Sequence, residues 1–437
     1  MDARSGQCHA ETGLTQWQCD CRMVAKNSRS RSGEYVMAQE IDEAVMNLTG
    51  MLAQRAKSIP DNPFASADAR VAAAMAQGAD VIDLSKGNPD GEPPEFMIEA
   101  AVKASHDPAD FRYAPFDGKP AYLQAAAHWY RQEHGVALDP VTQLLAVSGA
   151  SVGIGLTIQT LVNPDDLVLV PGPYYPQYEG STAVAQGHLE ALPTDAEHGF
   201  LPDLDAVPES LWKRAKLLIL NYPNNPTGAA ATPEFFAQAV ALAKRYDFVI
   251  MHDFAYAGIG FDDQPPISLL STPGAVDVAV ELCSLSKMYM IAGWRGGFVA
   301  GNPELMHALK MVHRQTSLLM GTTVQDAGAA GLNSDQATVR VLAERYKKRF
   351  LTLQRGLAAA GLTVCDSHGG LFAWMKVPDG VSDAEFSRWL LAQAGVAVIA
   401  GSDFGPTGAG YVRLSLLRPE SDLAEAARRI REALQSA

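Results

Sequence analysis

The chain has 437 residues, 47% of them apolar and 19% charged, and 49 acidic against 35 basic side chains give a formal net charge of −14. That apolar content excludes a disordered or collagen-like chain and, at about 150 residues per domain, sets an expectation of two or three domains. The acidic balance argues against nucleic acid or an anionic membrane as partner, and no stretch reaches the ~18 uninterrupted apolar residues of a membrane span.

Residues 1–36 are polar, rich in Ser, Arg, Gln and Asn, and carry no apolar core of the secretory type. They read as a disordered leader, or as sequence upstream of a start at Met37. The cysteines (Cys8, Cys19, Cys21, Cys283 and Cys365) are an odd, sparse set, which points to reduced thiols and a cytoplasmic setting. Cys19 and Cys21 have no His/Cys partner pair at finger spacing, so no metal is expected. A helix is expected over 40–58, stopped by Pro60.

From about residue 120 strand and helix signals alternate. Apolar runs at 144–147, 167–170, 217–220, 248–251, 278–283 and 298–300 read as strands, and 152–161, 233–246 and 303–312 as helices between them. Continuous apolar strands separated by helices indicate an α/β fold with a mostly parallel sheet covered on both faces. Past about 325 the pattern changes. A long helix from 327 to about 360 is expected, then short strands at 362–365, 371–375, 396–399 and 411–417, and a final helix over 420–434, together a smaller α+β domain.

In parallel sheets ligands sit beyond the carboxyl ends of the strands, and four of these ends carry unusual residues. They are Ser148-Gly149-Ala150-Ser151, Asn221-Tyr-Pro-Asn-Asn225-Pro-Thr-Gly228, His252-Asp253-Phe-Ala-Tyr256 and Ser284-Leu-Ser286-Lys287 with Arg295 eight residues on. Each alone is an ordinary turn, cap or helix start. Together they suit pyridoxal 5′-phosphate (PLP). That cofactor needs a lysine amine for a Schiff base and a carboxylate for its ring nitrogen. Its phosphate needs a small-residue helix start and a bidentate arginine.

In these motifs the chain resembles the class I/II aminotransferases of PLP fold-type I, with matching pieces from about Ile82 to Leu417. The resemblance implies a large domain with a mostly parallel seven-stranded sheet (96–325) and a small C-terminal domain (326–437) that 37–95 joins. It implies that Lys287 forms the Schiff base and then moves the proton, that Asp253 holds the ring nitrogen, and that Tyr256 and Asn225 bond the ring oxygen. Gly149, Ala150, Ser151, Ser284, Ser286 and Arg295 would hold the phosphate, and Tyr175 of Pro173-Tyr-Tyr-Pro-Gln-Tyr178 would stack on the ring. Gly87, in Asp83-Leu-Ser-Lys-Gly87-Asn-Pro-Asp90, would lie near the substrate carboxylate, and Arg413, in Tyr411-Val-Arg413-Leu-Ser, would clamp it. Tyr113, after Arg112, would reach the phosphate of a neighbouring subunit, which makes the enzyme a homodimer with shared sites.

The implied reaction is ping-pong transfer of an amino group between an amino acid and a 2-oxo acid. The alternatives are a C–S or β-eliminating lyase, or another specialised PLP enzyme, because the same residues begin all of these reactions. A PLP-binding transcriptional regulator is disfavoured by the charge and the short leader. The absence of G-x-G-x-x-G after a strand disfavours a dinucleotide binder. A donor with a distal carboxylate calls for a further arginine, for which Arg314 and then Arg340 are the candidates.

Overall fold

The computed structural model describes residues 48–261, 265–316 and 319–436. The leader at 1–36, the first part of the helix expected over 40–58, and Cys8, Cys19 and Cys21 lie outside the described residues. Leu48–Lys57 belong to a unit of their own: a 3₁₀ turn Leu48–Met51 and a helical turn Gln54–Lys57.

In the unit Ser58–Ala437, β1 (Ile82–Asp83) precedes the strands of the main sheet. These are β2 (Leu144–Val147), β3 (Leu167–Pro171), β4 (His188–Leu192), β5 (Ala215–Leu220), β6 (Val249–Phe254), β7 (Ala279–Ser284) and β8 (Gly297–Gly301). Their order is β2-β8-β7-β6-β5-β3-β4, and β8 alone runs antiparallel to its neighbours. That reversal matters for the site. Arg295 precedes a strand, yet it arrives at the same edge of the sheet as the carboxyl ends of the others.

The main strands match the apolar runs because both faces are covered: β2, β3 and β7 are buried at every residue. One apolar cluster packs on one face, with Leu144, Leu169, Leu218 and Phe298, and another on the opposite face, with Leu145, Val168, Leu217 and Val299. The helix Pro233–Tyr246 has the expected bounds. Thr232 caps it by accepting from the Phe235 amide at 3.2 Å, and Asp247 ends it at φ 57°. The strand β4 was not legible, because an edge strand with one open flank carries the alternating polar residues of His188–Leu192.

Beyond the main sheet, β9 (Phe372–Lys376), β10 (Val396–Ala397), β11 (Ile399–Ala400) and β12 (Tyr411–Ser415) follow. They build a three-stranded sheet β11-β12-β9, and β10 pairs in parallel with β1. The run 396–399 is thus two strands in two sheets. The run 362–365 makes only one bridge, Val364 to Met375.

The long helix expected from 327 to 360 is two helices, Thr322–Leu332 and Ala337–Ala358. Between them Gln336 takes φ 58°. Its buried amide accepts from the Tyr289 hydroxyl at 2.8 Å and donates to the Gly331 carbonyl at 2.9 Å. The Asn-Ser-Asp run before it favours caps over helix interiors, and the tertiary bonds of Gln336 hold the break.

Under the sheet, Glu281 of β7 is fully buried. Its carboxylate receives His252 Nδ1 at 2.8 Å, the Ser268 hydroxyl at 2.7 Å, the Leu269 amide at 2.7 Å and the Tyr130 hydroxyl at 2.9 Å. Burial alone would raise its pKa, but these partners, His252 first, hold it below the ordinary 4.5. Its contribution to stability is therefore complete above pH 4.5 and is lost as pH falls through the lower folded value. Glu281→Leu leaves four donors unpaired. It should lower unfolding free energy by about 3 kcal/mol, read as the shift of the urea midpoint at pH 7; an unchanged midpoint would show that the cluster holds nothing.

Candidate active site

The carboxyl edge of the main sheet opens into a cavity of about 460 Å³, closed from the other side by residues of β11, β12 and the segment after β1. Of the expected site residues, Ala150, Ser151, Tyr175, Asn225, Asp253, Tyr256, Ser284, Ser286, Lys287, Arg295, Arg413 and Gly87 line it. Gly149 lies directly behind it. Tyr113 does not: it is 98% exposed, next to the 3₁₀ turn Pro108–Phe111.

Lys287 sits in the short helix Leu285–Met288 that continues β7. Its Nζ donates to the Gly87 carbonyl at 2.6 Å. Burial first, and then the charges of Arg413 and Arg295, pull its pKa from 10.5 down to about 8. Near neutral pH, a usable fraction of the amine is therefore free to act as a nucleophile or base.

Asp253 is buried in β6. Its Oδ2 accepts from the Tyr178 hydroxyl at 2.7 Å and its Oδ1 from the Ala255 amide at 3.2 Å. Burial raises its pKa, and the Tyr178 hydrogen bond opposes that rise. The Asp253 backbone is held by Asn221 Nδ2, which donates to its carbonyl at 2.8 Å. Asn221 Oδ1 also accepts from the Asn225 amide at 2.8 Å, which fixes the turn that presents Asn225.

Sequence reasoning missed Tyr178 and Asn221. Both stand in motifs that were read, but their partners lie 75 and 32 residues away. Helical spacing was the available signal for Tyr178, which follows Tyr175 by one turn; the two rings meet edge to face at 5.7 Å.

The helix Ala150–Leu161 begins with no side-chain cap, so its first amides are free for a ligand. Gly149 takes φ 90°, and a Cβ there would stand 2.5 Å from Arg295 Nη2. Glycine thus lets the guanidinium lie against the start of the helix. Free amides, a guanidinium and the hydroxyls of Ser151, Ser284 and Ser286 line the same cavity, a donor set of the kind an anion requires.

Arg413, 2% exposed, is the second arginine of the cavity lining. Its Nη1 donates to Asn225 Oδ1 at 3.0 Å and its Nη2 to the Ser85 carbonyl at 2.8 Å, both neutral acceptors. Its Nε is buried without a partner, and its guanidinium lies 3.9 Å from the centre of the Phe372 ring. Desolvation draws its pKa down to about 10.

Amine, buried carboxylate and phosphate-type cradle in one cavity fit the aldehyde, ring nitrogen and phosphate of PLP, and the open valence of Arg413 fits a substrate carboxylate. Neither Arg314 nor Arg340 lines the cavity. Arg314 clamps Asp117 with Nη2 at 2.9 Å, and Arg340 donates to the Asp335 carbonyl at 2.5 Å. Arg314 is thus tied to a residue 197 positions away and Arg340 to the residue two before its own helix, and neither reaches the cavity as the distal-carboxylate arginine expected from the sequence.

Comparison with known proteins places the chain in one family. The family model for aminotransferase class I and II matches residues 79–430. The chain is 40% identical to the L-glutamine--4-(methylsulfanyl)-2-oxobutanoate aminotransferase of Bacillus subtilis, over 86% of this chain and 94% of that protein. It is 40% identical to the LL-diaminopimelate aminotransferase of Aquifex aeolicus, over 86% and 97%. The substrate-bound structure of BacF from Bacillus subtilis superposes with a TM-score of 0.84 at 33% identity, over 87% and 97%. Among the described residues no helix is long and apolar enough to cross a membrane. The chain belongs to the class I and II aminotransferase family, as a PLP-dependent enzyme that moves an amino group between an amino acid and a 2-oxo acid.

Proposed function

We propose that Lys287 is the residue that holds the cofactor and moves the substrate's α-proton, with Asp253 and Arg413 setting the cofactor ring and the substrate around it. The observation that carries this reading is the Lys287 amine itself, brought down to about pKa 8 inside a cavity that also holds a buried carboxylate and two arginines. Bound there, PLP supplies an electron sink for the charge left when the α-proton departs.

Each residue then has a defined task. Asp253, kept in place by Tyr178 and Asn221, offers a carboxylate to the ring nitrogen. Arg295, the free amides of the helix Ala150–Leu161, Ser151, Ser284 and Ser286 hold the phosphate, and Gly149 gives Arg295 room to reach it. Tyr175 covers one ring face, and Tyr256 and Asn225 offer hydrogen bonds to the ring oxygen. Arg413 binds the substrate α-carboxylate beside Gly87, which aims Cα at Lys287 Nζ. Positioned acid–base transfer of this kind contributes roughly 10²–10⁴-fold.

We also read the enzyme as a cytoplasmic homodimer in which Tyr113 completes the partner's phosphate site. The exposed Tyr113, flanked by exposed Phe111 and Phe116, supports the dimer, and the free thiols Cys283 and Cys365 support the compartment. The domain division 37–95, 96–325 and 326–437 belongs to the same reading. It is supported by the separate apolar cluster that joins Ile82 and Leu84 to Phe350, Phe372 and Ile430.

The protein mixed with PLP should show a visible absorption band that Lys287→Ala lacks, and adding an amino acid alone should yield its 2-oxo acid without ammonia. Ammonia in place of transfer would make the reaction an elimination. In the cofactor-free protein, labelling of Lys287 by a small amine-reactive reagent should rise with pH about a midpoint near 8, since the free amine is the reactive form. A midpoint near 10 would remove the argument for the lysine. Asp253→Asn should lower kcat by at least about 10²-fold while the band is retained. Tyr113→Phe should weaken PLP affinity without dissociating the dimer in sedimentation; unchanged affinity would remove the shared site.

A further inference from the structure

Six charged side chains line the active cavity: Asp68, Lys86, Asp253, Lys287, Arg295 and Arg413. The last four have tasks in the reading above. Asp68 and Lys86 do not, and they are paired with each other. Asp68 comes from the helix Pro63–Ala76, which also brings Phe64 to the cavity. Lys86 stands next to Gly87, whose carbonyl receives the Lys287 amine. The pair therefore reaches the cavity from a position one residue away from the reacting centre.

This placement bears on the far end of the substrate. Once Arg413 holds the α-carboxylate and Arg295 the phosphate, Lys86 is the remaining lining cation. Asp68 pairs with it, and Asp83 Oδ2 stands 3.8 Å from its Nζ. The adjoining groove shares Phe64 and Tyr175 with the cavity and is lined by Asp61, Glu179 and Asp403, with no cation among its lining side chains. A second carboxylate on the substrate thus meets two or more protein carboxylates and no unpaired cation among the described residues that line the cavity and the groove beyond those already assigned. The Lys86 and Asp68 side chains are 43% and 56% exposed, so removing either leaves no buried orphan.

We infer that the Asp68–Lys86 pair is a specificity device: it masks Lys86 and so makes the enzyme prefer amino donors with a neutral side-chain end over donors with a distal carboxylate. This rests on the aminotransferase reading and adds the donor class to it. Freed from Asp68, Lys86 would attract a distal carboxylate at the same place.

The test is the rate of 2-oxo acid formation by the PLP-loaded enzyme from glutamine, methionine and leucine against aspartate and glutamate. The wild type should favour the neutral donors in kcat/KM. Asp68→Asn should raise the ratio of acidic to neutral donors about fivefold, the size of one exposed ion pair, and the gain should shrink with added salt. Asp68→Asn with Lys86→Met should lose the gain, which a purely structural effect of Asp68 would not do. The inference is overturned if the wild type favours the acidic donors, if Asp68→Asn leaves the ratio unchanged, or if the gain survives in the double variant. If no donor yields an oxo acid, the aminotransferase reading fails first and this one with it.

Discussion

The constraint on which the site depends is the crowding of positive charge at one edge of a sheet. Lys287, Arg295 and Arg413 face one cavity, with Asp253 set among them and Asp68 paired to Lys86 at its lining. Burial, with repulsion from the two arginines, lowers the lysine to about 8, and burial alone lowers Arg413 to about 10. Such an arrangement gives up stability for reactivity, because a desolvated cation without an anion is expensive in a low-dielectric interior. The two arginines define the gaps that anionic ligand groups would fill.

Rigid backbone holds these charges in place. Three of the site's anchors leave strands buried at all but their first residue or throughout: Asp253 in β6, Lys287 just after β7 and Arg413 in β12. Arg295 reaches the same edge because β8 runs backwards, and it turns there at φ 58°. Below them, Glu281 binds β7 to His252 of β6, directly before Asp253 in sequence. The cavity wall facing the main sheet is held just as firmly. Asp90 and Arg349 form an ion pair at 2.7 Å, and Arg349 Nη1 also donates to the Leu416 carbonyl at 3.1 Å. These contacts fix the 85–90 segment that presents Ser85 and Gly87 to Arg413 and Lys287.

What could be read from the sequence follows from the same physics. Strands buried on both faces are uninterrupted apolar runs, so β2, β3, β5, β6, β7 and β8 announced themselves, and the polar residues at their ends marked the site. The edge strand β4 carries no such run. The break at Gln336 depends on Tyr289, 47 residues away, and no local pattern reports that contact. Tyr178, Asn221, Phe64 and the Asp68–Lys86 pair act across the cavity through long-range contacts, whereas Arg314 looked eligible only because its partner Asp117 lies 197 residues off in sequence. A strand-end motif names the residue that does chemistry. The residues that aim it or neutralise its surroundings are chosen by packing.

The global and local charges have opposite signs, and that contrast limits what the cavity selects. The chain carries −14 overall, yet its cavity presents four cations against two carboxylates. Long-range attraction of an anionic substrate is weak for such a molecule, so selection falls to contacts made after entry. Inside, in the proposed reading, the exposed guanidinium of Arg295 would receive the phosphate and the buried one of Arg413 the α-carboxylate. Among the described lining residues a further anionic group would find no third guanidinium, because Arg314 and Arg340 are bound elsewhere, and Lys86 is paired with Asp68. Exclusion by an unmet charge needs no steric wall. The selection inferred for this cavity is therefore one of side-chain charge.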